Sequence, residues 1–182
     1  MITFRTTEAL FRQVGQDLGV SEWHRVDQSM IDLFADLTGD RQWIHRTEHA
    51  HQSPFGLPIA HGLLTLALLI PMLGEIFQVE GADMVVNKGL DTVRFIRPVP
   101  AGAEIRAAAV LRSAQVRPRD FTEVVVRSRI IVAGRSEPAF RADCVLLYHL
   151  GKEVEPHITD ADLTKADSRP KSAGHDDRTG VE

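Results

Sequence analysis

Asp40 and His45 stand five residues apart in the stretch Leu37-Thr-Gly-Asp-Arg-Gln-Trp-Ile-His45. A carboxylate and an imidazole that share one water can exchange protons with it near neutral pH, because an unperturbed imidazole titrates at about 6.5. The spacing alone carries little weight, since a loop-capping Asp beside a surface His would read the same way. Its context is Ile59-Ala-His-Gly62, which leads directly into an apolar segment. Backbone N–H groups at the start of a helix there would lack intrahelical acceptors and would lie at the positive end of the helix dipole. Such donors can hold a carbonyl oxygen whose negative charge grows during a reaction. Gly62 has no side chain to obstruct a ligand, although the same smallness would also serve close packing at the helix entry. Together these are parts for moving protons on a carbonyl compound.

The elements that must position these parts can be read from periodicity and punctuation. Leu10, Phe11, Val14 and Leu18 recur at helical spacing, with Gly19 placed to end the helix, and Trp23 to Val26 reads as a short strand. Asp27 or Ser29 can cap a second helix whose Met30, Ile31, Phe34 and Leu37 share one side and which Gly39 can end. From 40 to 62 the chain is polar and aperiodic, which predicts a long functional loop with one helical turn near Thr47 to Ala50. Leu63 to Phe77 is apolar on nearly every face and predicts a helix buried all round, kinked where the Pro71 ring meets the carbonyl of Ala67. Leu66, Leu69, Ile70 and Met72 on this helix would set the depth of any pocket between it and the sheet. After Gly81 come short β-rich runs at Val85-Val86, Asp91 to Ile96, Glu104 to Leu111, Phe121 to Val132 and Ala139 to His149. An antiparallel sheet wrapped on the buried helix follows, an α+β class.

Composition bounds the rest. The 182 residues, 43% hydrophobic and 25% charged, suit one globular domain over 1–150. Residues 151–182 carry eight acidic against five basic side chains and no apolar period, which predicts a polar, flexible tail. A net charge of -4 with scattered Lys and Arg argues against nucleic acid as a partner. The one cysteine, Cys144, lies in an apolar run and reads as a buried thiol in a reducing cytoplasm. The N-terminus shows no secretory pattern, and the apolar run from Leu63 to Leu73 is too short to span a bilayer.

Three blocks, Asp32-Leu-Phe-Ala-Asp-Leu-Thr-Gly-Asp-Arg-Gln-Trp-Ile-His45, Pro54-Phe-Gly-Leu-Pro-Ile-Ala-His-Gly62 and Val93-Arg-Phe-Ile-Arg-Pro-Val-Pro-Ala-Gly102, occur in that order. Together they resemble the MaoC-like dehydratase family, the (R)-specific enoyl-CoA hydratases, and within it the NodN-like branch. The match runs from about Val20 to His149. The resemblance implies a hot-dog fold, a curved antiparallel sheet around a central helix, assembled as a homodimer. It implies reversible addition of water across the 2,3 double bond of an enoyl thioester, on coenzyme A or an acyl carrier, with no cofactor beyond that substrate. Asp40 and His45 match the family's dyad, and Gly62 matches the glycine whose amide binds the thioester oxygen. Where the family motif has Asn-Pro between the dyad members, this chain has Gln42-Trp43. Gln42 keeps an amide for the loop or the dyad, and Trp43 is expected to pack beneath the loop.

Further residues are weighed around this core. His61 is expected to pack or hydrogen-bond at the helix entry, within reach of substrate. Thr65, one turn inside the helix, faces the acyl pocket or bonds back to a carbonyl. Arg94 and Arg97 flank Phe95 as contacts for coenzyme A phosphates, or as solvated strand-edge cations. His45, His49, His51 and His61 have no accompanying Cys and no shared helical spacing beyond His45 and His49, so no metal is expected. Glu75 could stand for the carboxylate of a hot-dog thioesterase, and a thioester-binding module without turnover is the non-enzymatic alternative.

Overall fold

The computed structural model describes residues 1–52 and 54–150; the expected tail at 151–182 lies outside the described residues, as do the side chains of His49, Ala50 and His51. Strand β1 (Ile2–Phe4) is followed by helix α1 (Thr7–Arg12), whose start is capped by Thr6 accepting from the Ala9 amide at 3.1 Å. This helix is shorter than its apolar spacing predicts. Gly15 turns the chain at φ +88°, and Leu18 and Gly19 belong instead to strand β2 (Asp17–Val20), where the Asp17 carboxylate accepts the Gly19 N–H at 2.6 Å. Strand β3 (His24–Val26) leads into helix α2 (Gln28–Thr38), capped by Asp27 accepting from the Met30 amide at 2.9 Å and ended by Gly39 at φ +77°. Ile31 and Ala35 are the buried side of α2, whereas Leu37, expected inward, is 84% exposed.

Helix α3 (Gly62–Ile76) is the apolar segment, and it runs continuously through Pro71. Its burial is not all round. Leu64, Thr65, Leu69, Met72, Leu73 and Ile76 are buried, while Leu63, Ala67, Pro71 and Gly74 form an exposed stripe at helical spacing. Pro71 therefore stands on the solvent side, where a helix most easily yields to a lost hydrogen bond.

After α3 the chain is β: β4 (Phe77–Val79), β5 (Met84–Phe95), β6 (Ala103–Arg117), β7 (Phe121–Val132) and β8 (Phe140–His149). The runs at Val85-Val86 and Asp91 to Ile96 prove to be one long strand. The main sheet has the order β2-β6-β7-β8-β5, with β3 also on β6, and all its pairings are antiparallel. β1 and β4 form a small parallel pair. Along β7 the burial alternates, with Val124, Val126, Ile130 and Val132 turned inward onto the core and Arg127 and Arg129 outward. One hydrophobic core, from Phe4 to Tyr148, joins the inner sheet face to α3. This is the hot-dog arrangement, α+β, with the helix held in the curve of the sheet. Among the described residues no helix is long and apolar enough to cross a membrane.

Candidate active site

The site lies where the end of α2, the 40–62 loop and the start of α3 converge. Gly39 adopts the left-handed conformation that ends α2, and its N–H bonds the Ala35 carbonyl at 2.9 Å. That turn places Asp40, half-buried, at the head of the loop, where Gln42 Nε2 donates to Asp40 Oδ1 at 3.1 Å. A short 3₁₀ turn at Trp43–His45 then rotates His45 inward until it is 6% exposed. Gln28 of α2 fixes the other end of that turn by donating Nε2 to the His45 carbonyl at 2.8 Å. The return limb is pinned by Ile59 N–H to the Ile44 carbonyl at 3.0 Å and Ala60 N–H to the Val99 carbonyl at 2.8 Å.

Two imidazoles occupy the centre. Nδ1 of His45 lies 2.6 Å from the Ile59 carbonyl oxygen; a carbonyl only accepts, so Nδ1 carries a hydrogen, and in the neutral ring Nε2 keeps its lone pair. Nε2 of His61 donates to the Asp40 main-chain carbonyl at 2.9 Å, and its Nδ1 is buried without a hydrogen-bond partner among the described residues. The rings stack at 3.6 Å with 25° between their planes, and Phe34 of α2 packs on His61 at 5.0 Å. Burial holds the His45 pKa below its ordinary value, the Ile59 carbonyl opposes this, His61 adds to the lowering and Asp40 works against it. His45 is thus kept in the neutral form that can accept a proton.

One donor atom each from Asp40, His45 and His61 lies within 4.8 Å of the others, so the trio is close enough to hold a small group in common. Sequence spacing could not reveal this trio as a candidate metal set, because His61 comes from a different segment. Two imidazoles on one ion must aim their lone pairs at a single point, however, and rings stacked at so shallow an angle present them side by side. The arrangement suits a water and its protons better than a metal.

A cavity of about 540 Å³ opens on this centre, lined by Asp40, Gln42, His45, His61, Gly62, Thr65, Phe95 and Arg97 among others. Gly62 is the first residue of α3, and His61 before it makes no side-chain cap among the described residues, unlike Thr6 and Asp27 at the starts of α1 and α2. The first amides of α3 thus have no side-chain acceptor among the described residues, and Gly62 and Leu63, which carry two of them, line the cavity. Thr65 lines the cavity and donates its hydroxyl to the Gly62 carbonyl at 2.7 Å.

Other candidates fall elsewhere. Arg97 lines the cavity and is ion-paired with Glu137 at 2.5 Å. Arg94 is register partner of Arg141, on the opposite sheet face from Phe95, and it does not line the cavity. Leu69 and Met72 are core residues, and neither they nor Leu66 and Ile70 line it. Trp43 is not tucked under the loop: it is 45% exposed. Glu75 accepts from the Glu22 amide at 3.1 Å and touches His24 at 2.7 Å, away from the dyad. No role in the site was assigned from sequence to Gln28, Phe34, Ile59 or Phe95, because all four act through main-chain or packing contacts with residues distant along the chain.

A MaoC-like domain model matches residues 10–133. The 3-hydroxyacyl-thioester dehydratase Z of Mycobacterium tuberculosis is 38% identical over 81% of this chain and 99% of its own length. Nodulation protein N of Rhizobium leguminosarum bv. viciae is 38% identical over 79% of this chain and 91% of its own. Among solved structures, the (R)-hydratase from A. caviae involved in PHA biosynthesis is 25% identical, covering 73% of this chain and 94% of its own, with a TM-score of 0.58.

Proposed function

The chain belongs to the MaoC-like dehydratase family and is an enzyme of the hydro-lyase kind; from that premise we propose that it adds water reversibly to 2-enoyl thioesters, giving the (R)-3-hydroxyacyl product. The observation that carries this reading is the convergence of Asp40, the free Nε2 of His45 and the uncapped start of α3 on one cavity. The thioester carbonyl accepts from the Gly62 N–H. Water held by Asp40 and His45 loses a proton to the pair as its oxygen bonds C3, and the C2=C3 electrons move onto the thioester as an enolate. The pair then returns a proton to C2, so that one O–H bond and the C2=C3 π bond are broken and one C–O and one C–H bond are formed. The (R) assignment draws support from the likeness to the (R)-hydratase, and no cofactor enters the scheme.

Loss of the enoyl absorbance of crotonyl-CoA measures the reaction directly. Asp40→Asn and His45→Ala should each slow it by about 10²- to 10⁴-fold, the usual worth of a positioned acid or base. An unchanged rate in both would overturn the assignment of the dyad. A thioesterase would instead release thiol from butyryl-CoA, and the engagement of Glu75 by Glu22 and His24 counts against that chemistry.

The reading extends to a homodimer. Among the described residues strand β5 ends the sheet with an unpaired edge and exposes Val85 and Val86, and α3 exposes its Leu63 stripe. Gel filtration should give about twice the 20.2 kDa of one chain.

A further inference from the structure

Strand β5 carries a one-residue bulge next to the cavity. Asp91 is register partner of Asp143 and Arg94 of Arg141, so that Thr92 and Val93 together oppose Ala142 alone, and Thr92 takes φ +50°. An inserted residue reverses the inward and outward alternation beyond it. Without the bulge Arg94 would point inward with Leu90. With it, Val93 packs on the core and Phe95 is aimed inward opposite Phe140.

The redirected ring lands on the carbonyl site. A methyl group at Gly62 would lie 2.9 Å from Cε1 of Phe95 and 3.1 Å from Cδ1 and Cζ, so the ring rests against the bare α-carbon. Edge-to-face contact with the fully buried Phe140, at 5.8 Å and 66°, holds its far side, while the rest of the ring, 49% exposed, forms a wall of the cavity. A thioester oxygen on the Gly62 amide would bring the atoms flanking the carbonyl, C2 among them, against this ring rather than the distal acyl chain.

We propose that Phe95 is a specificity-determining residue that excludes substituents at C2, restricting the enzyme to thioesters unbranched beside the carbonyl. The inference rests on the carbonyl site at Gly62 proposed above. It concerns branching and not chain length, since the ring stands at the reacting end of the substrate.

The test compares crotonyl-CoA, 2-methylcrotonyl-CoA and 2-octenoyl-CoA on the full chain, wild type and the Phe95→Leu and Phe95→Ala variants, with thermal melts to establish folding. Wild type should favour the unbranched substrate over the 2-methyl one by about tenfold or more in kcat/KM, the usual scale for a misfitted methyl group. Phe95→Ala should bring the two within about threefold, with Phe95→Leu between, while the octenoyl to crotonyl ratio stays constant. Branched to unbranched ratios that are alike in all three proteins, or a change confined to chain length, would overturn the proposal. Calorimetric binding of butyryl-CoA and 2-methylbutyryl-CoA separates this outcome from a failure of the hydratase reading. If wild type hydrates no enoyl thioester, that reading falls, yet Phe95→Ala should still erase a preference for butyryl-CoA; absence of that preference in wild type overturns the role of the ring.

Discussion

The imidazoles of His45 and His61 lie face to face at 3.6 Å, and each is oriented by a main-chain carbonyl, that of Ile59 for one and of Asp40 for the other. Two cationic rings at that distance would repel strongly in a site shielded from water. His61 thereby adds to the burial that lowers the His45 pKa and helps keep His45 neutral.

His61→Asn tests this relationship. The amide can still donate to the Asp40 carbonyl but carries no charge, so the His45 pKa should rise and the acid limb of the kcat/KM profile should move to higher pH. Plateau activity should fall by less than about tenfold, as befits a residue acting through another. A pH profile superposing on wild type would refute the coupling.

His45 also makes folding pH-dependent. Its folded pKa lies below the ordinary 6.5, so between the two values the unfolded chain binds more protons than the native one. Stability from this group is complete above 6.5 and is lost as pH falls through the folded value. Urea midpoints should drop on acidification below 6.5, and His45→Gln should flatten that part of the curve.

Gly62→Ala should lower the melting temperature, because its Cβ meets the Phe95 ring at 2.9 Å. The cost should fall within the roughly 1–3 kcal/mol typical of overpacking, since contact with Phe140 holds the ring in place. Combining it with Phe95→Ala should remove most of that penalty, and simple additivity in the double-mutant cycle would show that the two residues do not compete for space.

Gln42→Ala removes an exposed hydrogen bond to the Asp40 carboxylate. The loss is worth about 1 kcal/mol, so kcat/KM should fall by about fivefold, well short of the dyad variants. A fall as large as that of Asp40→Asn would mean that Gln42 does more than orient its neighbour.

Periodicity and end signals made most of the architecture legible: Asp27 and Gly39 bound α2, and alternation along β7 marks its inner face. Misreadings arose where one local pattern had two uses. Leu18 and Gly19 continue a helical spacing but join a strand because Gly15 turns the chain first. Leu37 and the Leu63 stripe are apolar yet exposed, and a pattern of side-chain types does not say whether another surface covers them. In the site, Asp40, His45 and Gly62 were visible because side-chain type and motif order announced them. The contributions of Ile59 and of the Asp40 carbonyl were not, since every residue but the chain's last offers a main-chain oxygen and only the folded path selects the one that matters.

That path has a consequence for mutational tolerance. Both rings are steered by peptide oxygens, which are the same whatever side chain their residue carries, so neighbouring positions can drift without disturbing the angles of the rings as long as the loop keeps its course. Gln42-Trp43 fits this freedom: Trp43 points outward, and across its turn the His45 N–H donates to the Gln42 carbonyl and the Arg46 N–H to the Trp43 carbonyl. The loop can thus vary in composition while its geometry is inherited from the backbone.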